Sequence, residues 1–288
     1  MSTLVLGASG FLGSYFSAIL GNEAIFHTSK TGQLEDNENV IVADFNNPTQ
    51  IESVLNSGKF TKVINCIALA SIEQCENNPH LASWLNSKIP LILSSVCLKN
   101  DIKFAHISTD AVFDGCNAPN MESEKVSPIS NYGKTKAIGE INVLETNPDA
   151  QIFRVNFFGK SPKKNSLFDY FFNNLKNENR VLGFTDVMFS PMSAENTARV
   201  ICNLMDFTGP GIFHISGNSI MSKYEFGCKV ASYLNVDEKL VSKSNLSSTP
   251  GGSIRSRNLC LNNNKIVKLG IKIENFDQEL IKLVKLSL

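Results

Sequence analysis

The sequence predicts an α/β fold: a doubly wound parallel sheet followed by a smaller C-terminal α/β part. Three observations carry this. Short apolar runs alternate with helical patterns from Thr3 to Val155, the alternation of a parallel sheet covered on both faces. The first apolar run ends in a glycine-rich turn that opens a helix. Gly7, Asp44, Cys66 and Thr109 all fall at the carboxyl ends of such runs, the edge where open parallel sheets bind ligands.

Thr3–Leu6 reads as the first strand. Gly7-Ala8-Ser9-Gly10-Phe11-Leu12-Gly13 follows, then a helical pattern to Leu20. Strand, glycine turn and helix together form a phosphate site, because glycines admit the pyrophosphate to the backbone and the helix N-terminus offers N–H groups. The spacing is G-x-x-G-x-x-G, not the commoner G-x-G-x-x-G. A second strand, Ala24–Phe26, ends in His27-Thr28-Ser29-Lys30. An acid at this point would select NAD(H) through the ribose 2′-OH. Ser29 and Lys30 suit a 2′-phosphate instead, so NADP(H) is favoured. Glu35 and Asp36 a few residues on keep NAD(H) open.

Val40–Val42 is a third strand, ending at Asp44-Phe45, and Thr49–Leu55 a helix. Lys62–Asn65 is the next strand, opening into Cys66-Ile67-Ala68, small and apolar enough for a flat nucleotide to lie close. A long helix is predicted over Leu81–Lys99, with Asn86 in its first half and a kink at Pro90. A strand over Lys103–Ile107, an irregular loop over 114–130, a helix capped by Ser130, and a strand over Gln151–Val155 complete the sheet. Beyond Gly159 come helices over Leu167–Lys176, Ser193–Asp206 and Lys223–Leu234, a strand over Gly211–Ile215, a Ser/Gly/Pro-rich loop over 247–256 and two short terminal helices.

The bulk numbers narrow the function classes. The chain has 288 residues, 42% hydrophobic and 19% charged, with 27 basic and 27 acidic residues. Zero net charge argues against broad nucleic-acid binding. From Phe207 onward 11 Lys/Arg stand against 6 Asp/Glu, a bias that suits a diphosphate ligand or a solvated surface. Seven cysteines, none in a C-x-x-C pair, point to reduced thiols and a cytoplasmic protein. A strand starting by Thr3 leaves no room for a signal peptide. No apolar run of about 18 residues occurs, so no membrane span is expected. The four histidines lack metal-ligand spacing; His106 and His214 read as core residues with satisfied hydrogen bonds.

The candidate chemistry lies between His106 and Lys136. Thr109 and Asp110 close one strand; Tyr132 and Lys136 lie one turn apart on the helix that follows. A phenol titrates near ~10, and an adjacent ammonium favours the phenolate. Tyr132 could then protonate a carbonyl oxygen as charge builds on it, with the Thr109 hydroxyl holding that oxygen. A lone Y-x-x-x-K is more often an ordinary helix face; its placement at the ligand edge of the sheet is what favours function.

Taken together, these motifs resemble the extended short-chain dehydrogenase/reductases, in particular the dTDP-4-dehydrorhamnose reductase-like branch. Residues Gly7–Gly13 resemble its phosphate loop, Asp44-Phe45 its adenine contact, and Asn65–Glu76 its N-x-A-A-x-x-x-V-D-x-x-E segment. His106–Gly115 is similar to H-x-S-T-D-Y-V-F-D-G, and Pro128–Glu140 to P-x-x-x-Y-G-K-T-K-x-x-G-E; these two are the specific ones. Phe153-Arg154, Ser190-Pro191 and Gly211–His214 also fit. The resemblance implies a Rossmann sheet domain binding NADP(H) over 1–158, with a return segment about 185–210, and a substrate-binding domain over 159–184 and 211–288. It implies Tyr132 as acid, Lys136 on the nicotinamide ribose, Thr109 on the carbonyl, Asn86 supporting the site from behind, and Asp110, Phe157 and Arg255 toward the substrate. The substrate so implied is a 4-keto sugar nucleotide reduced in deoxysugar and cell-surface polysaccharide synthesis, with a homodimer compatible. The chain departs from the pattern at Phe157 (Trp in the branch), Ala111 (aromatic), Cys66 and Ile67 (Ala), and at Arg255-Ser256, which lacks the branch's Pro. Two other functions stay open: a non-catalytic NADP-binding regulatory subunit, and a reductase or epimerase of another nucleotide sugar.

Overall fold

The computed structural model describes residues 2–28, 39–57, 60–246 and 255–288. Ser29 and Lys30, the expected 2′-phosphate contacts, lie outside them.

Seven strands form one parallel sheet: β1 (Ser2–Leu6), β2 (Ala24–Thr28), β3 (Val40–Val42), β4 (Phe60–Asn65), β5 (Lys103–Thr109) and β6 (Gln151–Val155), joined by the later strand Gly211–Ile215, in the order Gly211–Ile215, β6, β5, β4, β1, β2, β3. The order reverses between β1 and β4, where Leu6 faces Asn65. A reversal opens a crevice at the carboxyl edge, because the connections on its two sides leave in opposite directions.

The connecting helices are α1 (Phe11–Leu20), α2 (Pro48–Ser57), α3 (Ile72–Asn77), α4 (Pro79–Ser83), α5 (Ile89–Lys99) and α6 (Asn131–Thr146). Both sheet faces are buried. Val5, Phe26 and Phe153 pack against Phe16 of α1 on one side. Leu4, Val63, Phe104 and Ile152 pack against Leu93 of α5 and Val143 of α6 on the other.

The long predicted helix spans 79–99 but is not uniform. A π turn at Trp84–Lys88 joins α4 to α5, and the Ile89 N–H reaches back to the Trp84 carbonyl. Pro90 has no N–H to give, and the wider turn accommodates it where a simple kink is expected. This 21-residue helix is long and apolar enough to cross a membrane by length and composition, unlike the expectation from the sequence. Half of its most apolar window is buried, and Ser87 and Ser94 donate to the Thr135 and Val143 carbonyls of α6, at 2.7 and 3.0 Å. These features are those of a core helix.

The remaining elements are β7 (Phe157–Phe158), α7 (Leu167–Lys176), β8 (Val181–Phe184), β9 (Met188–Phe189), β10 (Met192–Ser193), α8 (Ala194–Phe207), β11 (the sheet strand Gly211–Ile215), β12 (Met221–Ser222), α9 (Lys223–Leu234), β13 (Val241–Ser244), α10 (Asn264–Lys268) and α11 (Phe276–Ser287). The short strands pair as β7–β10, β9–β12 and β8–β13. Serine caps set the helix starts: Ser166 and Ser222 form capping boxes with Asp169 and Glu225, and Ser193 caps α8. Helices α7, α9 and α11 enclose a second apolar core around Phe226.

One boundary needs correction. Residues 211–215 fall in the smaller part on sequence grounds, yet β11 pairs in parallel with β6 throughout. Phe213 and Ile215 are buried in the sheet core, with the Phe213 ring stacked 5.7 Å from Phe153. Burial of these alternate residues ties the strand to the sheet.

Candidate active site

The crevice begins at Gly7, whose φ of +74° favours glycine, and whose missing side chain lets the Cys66 carbonyl carbon approach. The Gly10 N–H bonds to the Gly7 carbonyl at 2.9 Å, closing the turn. Gly10 caps α1 with no side-chain cap bond, so no cap side chain takes up the first N–H groups of α1. Ser9 accepts from the Thr28 hydroxyl at 2.9 Å, linking the turn to the end of β2. Farther along the edge, the His27 ring stacks on Phe45 with centroids 3.9 Å apart, and its Nε2 lies 3.0 Å from the Ala43 carbonyl. Asp44 receives the Asn46 backbone and side-chain N–H groups at 2.9 and 2.8 Å. Cys66 and Ile67 are half-buried and Ala68 exposed, flooring the crevice beside Gly7. A glycine turn at a bare helix N-terminus, an apolar floor and a flat aromatic pair fit a dinucleotide.

Thr109 ends β5 and caps a short turn at Asp110–Val112, accepting the Ala111 N–H at 3.2 Å. Its hydroxyl donates to Asp110 Oδ1 at 2.9 Å. Ser130 caps α6 by accepting from the Gly133 N–H at 3.1 Å, as its position predicts. Helix α6 thereby brings Tyr132 to Thr109, whose hydrogen bond draws the phenol pKa down. Burial outweighs that bond, and with the charges of Asp110 and Cys75 it holds the phenol well above its usual value.

Lys136 corrects one expectation. Its ammonium is not what tunes the phenol here: it is buried, donates to the Ile107 carbonyl at 2.6 Å and lies 3.1 Å from His106 Nε2. The i, i+4 spacing sets the two Cα positions a turn apart, but the longer lysine reaches inward beneath the end of β5. Burial lowers its pKa to about 8, against the nearby charge of Glu140. His106 has polar neighbours as expected, its Nδ1 lying 3.0 Å from the Asn65 amide nitrogen. An ammonium has three donors, and the Ile107 carbonyl takes one of them.

Asn86 does not reach the cleft. Fully buried in the π turn, it accepts from the Leu69 N–H at 2.8 Å and donates to the Leu69 carbonyl and the Thr135 hydroxyl, both at 3.1 Å. It holds the loop after β4 against α6. The Asn86 carbonyl, four residues before Pro90, lies where a side chain at Gly139 of α6 would meet it at 2.2 Å.

Beneath Thr109 and Tyr132 lies a cluster that motif reading quoted without giving it a task. Arg154 of β6 donates Nη2–H to Glu140 Oε2 at 2.7 Å and Nε–H to Oε1 at 3.0 Å, both side chains nearly fully buried. Ser108 donates to the same Glu140. Arg154 also lies 3.3 Å from His214 Nε2 and covers the Phe113 ring at 5.0 Å. His214 Nδ1 sits 3.1 Å from the Asn120 carbonyl, and burial lowers its pKa to about 3. The signals were Glu140 standing four residues after Lys136, and one arginine inside an apolar strand.

Toward the C-terminal part, Asn156 donates to Asp110 Oδ2 at 2.6 Å and to the Leu259 carbonyl at 3.0 Å. Lys223, the first residue of α9, places its ammonium 3.1 Å from the Phe189 ring centroid. Sequence reading missed it, although a lysine at a helix N-terminus opposes the macrodipole and suggests another task. The Phe157 ring packs against Phe11 of α1 in an edge-on arrangement, centroids 4.9 Å apart, beside the glycine turn. Arg255 is half-exposed, 3.6 Å from Glu73 of α3.

Comparison with known proteins finds that the family model described as the RmlD substrate binding domain matches residues 1–287. A probable low-salt glycan biosynthesis reductase of Haloferax volcanii is 30% identical over 268 residues, covering 91% of this chain and 89% of that protein. Methionine adenosyltransferase 2 subunit beta of Pongo abelii is 31% identical over 218 residues, 73% of this chain and 65% of that protein. Among solved structures, a dTDP-4-dehydrorhamnose reductase of Clostridium acetobutylicum superposes with a TM-score of 0.86 at 26% identity, covering 100% of this chain and 99% of that one.

Proposed function

The chain belongs to the family of the RmlD substrate binding domain, within the extended short-chain dehydrogenase/reductases, and on that premise we propose that it is an NADPH-dependent reductase of a 4-keto sugar nucleotide in deoxysugar and glycan synthesis. One observation carries the reading: Thr109 and Tyr132 meet, with Lys136 underneath, at the strand end beside the nucleotide-fitting crevice. In this reading the turn over Gly7, Ser9, Gly10, Phe11, Leu12 and Gly13 holds the pyrophosphate, Asp44 and Phe45 border the adenine, and Cys66, Ile67 and Ala68 floor the crevice. Ser29 and Lys30 take the 2′-phosphate, so NADP(H) is preferred to NAD(H).

A bound reduced nicotinamide supplies a hydride. The protein does the rest. Thr109 orients the carbonyl oxygen, and Tyr132 gives its proton to that oxygen as negative charge develops. A phenol that burial keeps protonated holds its proton until a stronger base forms beside it. Lys136 offers a donor to a ribose hydroxyl. Asp110, Phe157 and Arg255 border the sugar nucleotide; Arg255, half-exposed, suits a diphosphate.

The similarity to methionine adenosyltransferase 2 subunit beta favours a second reading, a cofactor-binding regulatory subunit. Loss of reduced-nicotinamide absorbance with a panel of nucleotide keto sugars separates the two. The reductase consumes NADPH with at least one of them, and Tyr132→Phe lowers kcat by about 10²–10⁴-fold with NADPH affinity kept. NADPH binding without turnover of any keto sugar selects the regulatory reading. Turnover by Tyr132→Phe near the wild-type rate removes Tyr132 as the acid.

A further inference from the structure

Lys223 is fixed by its main chain. Strand β12 pairs antiparallel with β9, Met221 opposite Phe189 and Ser222 opposite Met188. Ser222 then caps α9, and the Lys223 N–H donates to the Val187 carbonyl at 3.0 Å. The Lys223 ammonium lies 3.1 Å from the centroid of the buried Phe189 ring. Direct bonds join this strand to the end of β5. The Leu259 N–H donates to the Met188 carbonyl at 3.0 Å; Asn156 donates to the Leu259 carbonyl at 3.0 Å and to Asp110 Oδ2 at 2.6 Å. Three hydrogen bonds thus lead from Met188, beside Phe189, to Asp110, beside Thr109.

That place is unfavourable for an ammonium in two respects. The positive end of α9 repels it. Lys223 is also half-buried, yet among the described residues its ammonium makes no hydrogen bond and no ion pair. The ring face offsets part of this by attraction but accepts no conventional hydrogen bond, so the three donors of the ammonium are left to water or to a ligand. Asp110 and Cys260 are near enough for their charges to act on it.

We propose that Lys223 is a specificity-determining residue that donates to a hydroxyl oxygen on the sugar ring of the substrate, away from the carbonyl that Thr109 holds. The proposal rests on the reductase reading and gives the sugar itself a contact. A sugar whose carbonyl lies at Thr109 extends its ring along the bonded path, toward Asp110 and then Lys223. There a carboxylate that accepts and an ammonium that donates stand on the two halves of the molecule, the few placed polar groups that orient a hydroxylated ligand. The same carboxylate disfavours a diphosphate at this spot, because like charges repel; Arg255, beside Glu73 of α3, is left for that group.

The test is calorimetry on the protein loaded with NADP⁺, wild type against Lys223→Met, which removes the charge and keeps an unbranched stem. The probes are dTDP-glucose, UDP-glucose and GDP-mannose, each beside its own nucleoside diphosphate. The sugar nucleotide that the wild type binds best should bind the variant about tenfold more weakly, the loss of one hydrogen bond from a charged donor. The nucleoside diphosphate alone and NADPH should keep their affinities. Removing the sugar hydroxyls one at a time should weaken wild-type binding by about the same factor at one ring position and cost Lys223→Met nothing further there. Urea unfolding should find the variant no less stable, because methionine buries no charge. Undiminished affinity for the sugar nucleotide, an equal loss with the nucleoside diphosphate alone, or deoxy-sugar losses that are the same in both proteins overturns the assignment. A wild type that binds none of the three and oxidises no NADPH with any keto sugar removes the reductase reading itself, a different result from any of these.

Discussion

Beneath Tyr132 the protein is held by bonds that have direction. Arg154, Glu140, Ser108 and His214 link α6 to β5, β6 and β11, while Asn86 and Ser87 tie the π turn to Thr135. The core between α7, α9 and α11 is as well buried and is built mainly of ring contacts, with its directional bonds around it, where Lys229 and Tyr233 of α9 donate to Asp277 of α11, both at 2.7 Å. Phe226 is surrounded there by the rings of Phe158, Phe171, Phe189 and Phe276, 5.5–6.1 Å between centroids. Ring packing stabilises through area and tolerates small rotations. A bidentate ion pair admits one orientation. The difference teaches that directional bonds are concentrated where two side chains from different elements must meet at a fixed spot, and area is used where a body need only cohere.

The hardest test of that contrast breaks the polar side. Arg154→Met leaves Glu140 buried without its partner and should cost about 3–5 kcal/mol in urea unfolding, with turnover reduced. Adding Glu140→Leu should recover most of the stability, since a buried pair often exchanges for apolar residues without loss, yet turnover should stay down because α6 is no longer oriented. Recovery of both together would show that the pair serves cohesion alone. Next in size, Phe226→Leu in the aromatic core should cost about 1–2 kcal/mol and leave kcat within about twofold; a larger kinetic effect would mean that this core also orients the site.

The last effect is a slope, small at any one pH step. Lys136 is held at about 8 in the folded protein against an ordinary 10.5, so between those values the unfolded chain binds more protons. Stability from this group therefore rises with pH over that window, by at most about 1.4 kcal/mol per pH unit, and is least below 8 where the buried ammonium is charged. Urea midpoints of wild type against Lys136→Met, without cofactor, should diverge across the window. Parallel curves would place an ordinary lysine at 136.

Elements bounded by strong punctuation were legible in the sequence. The strand Gln151–Val155 and the helices Leu167–Lys176 and Lys223–Leu234 have the ends read from the chain, the helices because Ser166 and Ser222 build capping boxes there. The two-residue strands β7, β9, β10 and β12 carry no period to read. At the site, Thr109, Tyr132 and Lys136 were legible as motif residues, but the inward turn of Lys136 was not, because spacing fixes Cα positions and leaves the direction of a four-carbon side chain to its surroundings. Asn156 and Lys223 were invisible for another reason. Each meets the site through a fold-level contact, across 46 residues in the bond from Asn156 to Asp110, which no local window contains.

The close approach of Gly139 to the Asn86 carbonyl has a mechanical meaning. Pro90 withholds the N–H that would ordinarily cover that carbonyl in an α-helix, and α6 brings the bare Cα of Gly139 so near that an added Cβ would lie 2.2 Å from the oxygen. Position 139 is therefore a fulcrum. Tyr132 sits seven residues away along α6, a lever arm of roughly 10 Å at the helical rise of about 1.5 Å per residue. A methyl group at 139 would act as a wedge between α5 and α6, and the resulting tilt would reach the phenol at the far end of the arm. One added methyl group, remote from the chemistry, would thus change the height at which the acid is presented.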